Sequence, residues 1–241
     1  MVITTRALVF SALKYSEADL IVTCFTEDYG IQSYMLPNVL KSKKAKVRAS
    51  YFLPLTHLEI VATHKNKGTL ERIRDVKLVQ PYKTLHTEVV KSSLVMFIAE
   101  MLKNCIKEEE PNKDLFEYLE HAMLWLDAHD SIANFHILFL LKLTAHLGFY
   151  PEASYLTLRY FNMLDGTFQD IKTNDYCQEG AKIDAFKRFI GINFDAIAEI
   201  KLTKTERSEV LSLLLSYYQI HLQGYKNPRS LVVLNQLFNK L

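Results

Sequence analysis

The sequence predicts an α+β chain: a five-stranded N-terminal barrel, then an all-helical domain interrupted by a short β-hairpin. Short β-branched runs separated by turn residues fill residues 5–77, and the apolar period becomes helical after Pro81. Far downstream, Asp165-Gly166 separates two aromatic-rich runs, a strong hairpin signal.

The first strands are Ala7–Phe10, Leu20–Thr26 and Ile31–Leu36, with Asp28-Tyr29-Gly30 as turn chemistry between the last two. Residues Leu55 to Thr63 alternate, with Leu58, Ile60 and Ala62 on one face and His57, Glu59 and Val61 on the other. That period of two marks a half-buried strand. Gly68 then turns the chain into Thr69–Lys77. Short strands of this number suit a small closed barrel such as the OB-fold, whose surface commonly binds oligonucleotides. A sandwich or an SH3-like barrel fits the same pattern.

Val90, Leu94, Phe97, Ile98, Met101, Leu102 and Cys105 follow helical spacing, and Glu108-Glu109-Glu110-Pro111 ends that helix. Leu115, Phe116, Leu119, Met123 and Leu126 form a second stripe, with Asn112 as its cap. Ile132 to Leu147 is apolar nearly all round and stops at Gly148, as expected of a central buried helix. The hairpin pairs Tyr160–Leu164 with Thr167–Gln169. Helices resume near Ala181, and Thr203-Lys204-Thr205-Glu206 is a capping box for a helix carrying Leu211, Leu214, Leu215, Tyr218 and Leu222. Asn227-Pro228 opens the last helix, with Leu231, Leu234, Phe238 and Leu241 as its stripe. The expected domains are residues 1–80 for the barrel and 81–241 for the helices, with the insert near 158–177.

Charge is distributed unevenly along this frame. Residues 1–80 hold 12 Lys+Arg against 7 Asp+Glu, whereas residues 81–241 hold 17 against 20. No acid occurs from Tyr29 to Leu58, and within that stretch Lys41, Lys43, Lys44, Lys46 and Arg48 crowd one connection between strands. Such a cluster suits phosphates, which position a strand without reporting its sequence. Lys65, Lys67, Arg72 and Arg74, near the next turn, extend the cationic path. Tyr34 and Tyr51 flank the cluster and are candidates to stack on bases, whereas Phe52 belongs with the core beside Leu53 and Leu55. The blander reading is a solvated loop whose charge serves solubility.

Other chemistries find little support. Cys24, Cys105 and Cys177 lie too far apart for a metal or redox motif, and their odd number fits a reducing cytoplasm. The histidines make no HExxH, the glycines make no phosphate-binding motif, and no carboxylates have metal-ligand spacing. A hydrolase is therefore disfavoured. The longest uncharged run, Val210 to Tyr225, is 16 residues and contains several polar side chains, so no membrane span is expected. The N-terminus lacks the pattern of a cleaved signal, and the mature chain is expected to start at Met1.

The series Glu17-x-Asp19-Leu20-Ile21-Val22-x-x-Phe25-Thr26-x-x-x-Gly30, followed by the Lys/Arg loop and Phe52-Leu53-Pro54, resembles the N-terminal domain of the RecO family of recombination mediators. Ile98-Ala99-Glu100-Met101-Leu102, Asp114–Leu119, Leu141-Lys142-Leu143 and Leu147-Gly148-Phe149 are similar to its helical domain, in the same order. The resemblance is dense to about residue 152 and thin beyond.

This resemblance implies an OB-fold joined to helices, no enzyme activity and no cofactor. It implies binding of single- and double-stranded DNA, annealing of complementary strands, and action with RecR to load RecA on strands coated by single-strand binding protein. RecF is a further candidate partner, and the expected location is the cytoplasm, in association with the nucleoid. The C-terminal tail of single-strand binding protein is expected to meet Lys142 and Arg159 at a rim, with Leu138 and Leu141 below. Many members carry a four-cysteine zinc module where this chain has only Cys177, so no metal is expected. The hairpin is expected to replace that module, held by Tyr160, Phe161, Leu164 and Phe168. From another class, the alternative is an adaptor whose basic barrel recognises an acidic protein.

Overall fold

The computed structural model describes residues 1–41, 47–64, 70–107 and 110–238. Strands β1 (Val2–Lys14), β2 (Leu20–Thr26), β3 (Gly30–Leu36), β4 (His57–Thr63) and β5 (Glu71–Leu78) close a barrel in the order β1-β2-β3-β5-β4. Neighbours pair antiparallel except β3 and β5, which run parallel. Alternation explains the interior: Val22 and Cys24 of β2, Tyr34 and Leu36 of β3, and Leu58, Ile60 and Ala62 of β4 all point into one core. The expected turn at Gly68, and Thr69 at the head of the fifth strand, lie outside the described residues.

Helices α1 (Val89–Cys105) and α2 (Lys113–Ala128) belong to the same compact unit as the barrel, Met1–Ala128 with Pro228–Ser230. That unit extends beyond the change of periodicity at residue 81. The cause is a set of contacts across the outer face of the barrel. Arg6 on β1 donates from Nε and Nη2 to Glu27 at 2.9 and 2.7 Å, and from Nη1 to Glu120 of α2 at 3.0 Å. Its guanidinium also lies 5.3 Å from the centre of the Phe116 ring. His57 is consequently fully buried, its ring edge-on to Phe116 at 5.8 Å and its Nδ1 3.3 Å from Glu120 Oε1. The outer face of β4 is therefore covered at its first residue.

Local capping agrees with the sequence. Asn112 Oδ1 accepts from Leu115 N at 3.0 Å and so caps α2. The Asp127 carboxylate accepts from the backbone N–H groups of Lys83, Thr84 and Leu85, fixing the connection from β5 to α1. Glu108 and Glu109, expected to end α1, lie outside the described residues; the helix stops at Cys105.

The second unit, His129–Asn227 with the residues after Ser230, contains α3 (Phe135–His146), α4 (Ala181–Lys187), α5 (Lys204–His221) and α6 (Leu231–Phe238). It also holds a small sheet of β6 (Tyr160–Asn162), β7 (Thr167–Gln169) and β8 (Cys177–Gln178), in the order β7-β6-β8. The apolar α3 is buried along most of its length, as its composition demands. Tyr218 of α5 donates to Leu140 O at 2.8 Å, and Thr203 and Glu206 form the reciprocal capping box at the start of α5. Leu241, the last residue of the expected C-terminal stripe, lies outside the described residues.

The hairpin is held differently from the expectation. Phe161 and Phe168 are buried, with ring centres 4.9 Å apart, and Phe161 also meets Phe186 and Tyr217. Tyr160 is only half-buried on β6, and Leu164 lies in the turn with nearly half its surface exposed, so neither is a buried anchor. Met163 is buried instead.

Gly166 at this turn has φ +68°, and a Cβ placed there would lie 2.5 Å from Tyr217 Oη. That hydroxyl donates to Phe149 O at 2.9 Å. Gly166→Ala is expected to destabilise the protein by about 2 kcal/mol, combining left-handed strain with displacement of the tyrosine. Equilibrium denaturation read as a fall in midpoint checks it; an unchanged midpoint contradicts it.

Candidate nucleic-acid interface

One rim of the barrel gathers several of the described cations, and strand register shows how. Lys14 at the end of β1 pairs with Leu20 of β2, Leu20 pairs with Leu36 of β3, and beside it Met35 pairs with Arg72 of β5. The ends of β1 and β3 and the first half of β5 therefore share a rim, within three strand spacings or roughly 14 Å measured around the barrel wall. Lys14, Lys41, Arg48, Arg72 and Arg74 are exposed. Arg74 is the extra residue of a β-bulge, because Ala62 pairs with Ile73 and Val61 with Asp75. Its Nε donates to Thr63 Oγ1 at 2.7 Å.

The connection that carries the lysines is pinned at both ends. At its start, Asn38 N donates to Asp19 Oδ1 at 2.8 Å and Leu40 N donates to Ala18 O at 2.9 Å, so the β1–β2 turn supports it. The bond from Asn38 N, with help from Ser16 and nearby Lys41, holds the Asp19 carboxyl below its ordinary pKa. Lys41 Nζ lies 3.7 Å from the exposed Glu17, a solvated pair that an incoming phosphate can replace at little cost. At its end, a 3-10 turn over Ala49–Phe52 buries Phe52, and Leu55 N donates to Val9 O at 2.6 Å. Lys43, Lys44 and Lys46 lie between these anchors and, like Lys65 and Lys67, outside the described residues.

The aromatic part of the expected site is corrected at Tyr34. Tyr34 is fully buried, its Oη 3.1 Å from His64 Nε2, because it shares the inward face of β3 with Leu36. It has no face to offer a base. Tyr51 is half-buried and packs against the barrel core. Residue spacing already carried the first of these results: positions 34 and 36 point the same way in a strand, and a leucine occupies the second. Lys14, which the sequence reading left out, joins the rim through its pairing with Leu20.

The expected pocket in the second unit is corrected too. Leu138 and Leu141 are fully buried in α3 and cannot floor an open groove. Lys142 donates to Asn193 Oδ1 at 3.2 Å, and partial burial lowers its pKa. Arg159 is exposed, pairs with Glu179 and lies 5.3 Å from the centre of the Tyr160 ring. An open cleft of about 370 Å³ lies elsewhere in this unit, lined by Met163, Gln178 and Lys182 and by the Ser208, Ser212 and Ser216 side of α5.

Among the described residues, no three His, Cys, Asp or Glu side chains converge as a metal site. Cys177 is buried on β8, with Gln169 Nε2 3.2 Å from its Sγ. No described helix is long and apolar enough to cross a membrane.

Comparison with known proteins is consistent along the whole chain. The family model for the N-terminal part of recombination protein O matches residues 1–82, and the model for its C-terminal part matches residues 86–230. The DNA repair protein RecO of Christiangramia forsetii is 52% identical over 238 residues, covering 99% of this chain and 100% of the relative. The RecO of Flavobacterium psychrophilum is 45% identical over 99% of this chain and 100% of its own length. That of Bacteroides fragilis is 34% identical over 98% of both. The barrel, the helices that follow it and this end-to-end similarity have one reading: the chain belongs to the RecO family of DNA repair proteins.

Proposed function

We propose that this protein binds single- and double-stranded DNA through the basic rim of its barrel, anneals complementary strands, and acts with RecR to load RecA on strands coated by single-strand binding protein. The observation that carries this reading is the exposure of Lys41, Arg48, Arg72 and Arg74 around an acid-free connection. Ammonium and guanidinium groups in this setting neutralise phosphates and release counterions without reading bases. An annealing protein needs that indifference to sequence. Two strands held on one cationic surface repel each other less and meet at a raised effective concentration.

The proposed division of labour gives nucleic acid to residues 1–80 and protein partners to residues 81–241. RecR, the tail of single-strand binding protein and RecF are the candidate partners. Lys142 and Arg159 would meet tail carboxylates by exchanging Asn193 and Glu179 for them. The activity is binding rather than bond-making, and it takes place in the cytoplasm on the nucleoid.

A gel-shift and strand-annealing experiment with naked and protein-coated single strands tests the reading. Retarded naked strands and accelerated annealing are expected. Absence of both contradicts the assignment.

A further inference from the structure

Tyr34 is buried and Tyr51 half-buried, whereas the turn beside the cationic rim carries a far more exposed aromatic ring that no sequence pattern singled out. Tyr15 follows Lys14 at the end of β1, on the β1–β2 turn, and is 64% exposed. Its backbone N–H donates to Asp19 O at 3.0 Å, which fixes the residue within the turn. The same turn supports the lysine-bearing connection, through Asp19 to Asn38 and Ala18 to Leu40. Lys14 and Lys41, one on each side of this join, are exposed. Leu13 and Leu40 add apolar surface, 57% and 41% exposed. A solvent-facing aromatic side chain thus stands on a hydrogen-bonded turn that adjoins Lys14 and supports the start of the lysine-bearing connection. This is the combination that single-strand binding surfaces use, with stacking on bases and charge along the backbone.

We propose that Tyr15 is the base-stacking residue of the rim, carrying an unpaired base of single-stranded DNA while the surrounding cations hold its phosphates. The assignment rests on the DNA-binding reading above and adds to it a preference for unpaired bases, since a paired base has no free face to stack. Glu17 and Asp19 lie on the same turn, but neither blocks this role. Asp19 is engaged by Asn38 N, and the exposed Glu17 side chain is free to turn into solvent when a phosphate replaces it on Lys41.

The test uses fluorescence anisotropy with two labelled strands of equal length, oligo-dT and an abasic strand. The full-length protein is compared with Tyr15→Ala and Tyr15→Phe across a salt series. Tyr15→Ala is expected to weaken oligo-dT binding roughly 5- to 150-fold, the range of one lost stacking contact. It should leave abasic binding and the slope of log K against log salt unchanged, because a tyrosine releases no counterion. Tyr15→Phe should bind like the wild type. Equal weakening on both strands, or no weakening on oligo-dT, overturns the assignment while DNA binding by the rim stands. Failure of the wild-type protein to bind either strand overturns both readings.

Discussion

Replacing Lys43, Lys44 and Lys46 together by glutamate is expected to lower single-strand affinity on the order of a hundredfold and to abolish annealing. Each exposed ammonium–phosphate contact is worth about 0.5–1 kcal/mol. Three lost contacts therefore give roughly 10- to 150-fold, and reversed charges add repulsion from the phosphates. The connection holding these lysines is tied at its two ends by backbone bonds to the β1–β2 turn and to β1, and neither tie uses a lysine side chain. The thermal midpoint should therefore stay at the wild-type value. Strand binding measured by anisotropy, alongside thermal unfolding, checks both parts. Loss of the fold would mean the lysines are structural, and undiminished affinity would remove the connection from the interface.

Acidification is expected to cost the protein stability well before its carboxylates titrate. Burial holds His136 in the neutral form, aided by the nearby Arg207 charge, and lowers its pKa to about 3. Burial also lowers His57, against the pull of Glu120, and His64, against the pull of Glu71. In the unfolded chain these groups titrate near the ordinary value of about 6.5. Below that value the unfolded state takes up protons that the native state refuses, so stability present at pH 7 is lost as pH falls. His136 alone accounts for about 2 kcal/mol between pH 6.5 and 5. Denaturant midpoints measured across that window should decline in the wild type and decline less in His136→Gln. A midpoint that stays constant from pH 7 to 5 would contradict the account.

The fold was legible because its local rules agree with one another. Leu58, Ile60 and Ala62 alternate in sequence and all point into the barrel; the third helix is apolar all round and buried. Thr203 and Glu206 have the spacing of a capping box and form one. What escaped the sequence was set by tertiary contact. Nothing near Arg6 announces that Glu120, far along the chain, will draw α2 onto the barrel and cover His57. The two-residue strand β8 is too short to carry a period.

The cationic part of the site was legible as composition, since lysines cluster in an acid-free stretch whatever the fold does. Its proposed aromatic part depended on which way each ring faces. Tyr34 looked inward with Leu36, while Tyr15, beyond the last paired residue of β1, was left in solvent. For Leu138 and Leu141 the signal against a groove was already present. A helix apolar on every side has no face left for an open pocket.

The central claim is that the basic rim of the barrel binds nucleic-acid phosphates, and the salt dependence of single-strand affinity tests it most directly. If Lys41, Lys43, Lys44, Lys46 and Arg48 all engage phosphates, log K should fall against log salt with a slope of about −3.5. A strand affinity that does not change with salt would contradict it.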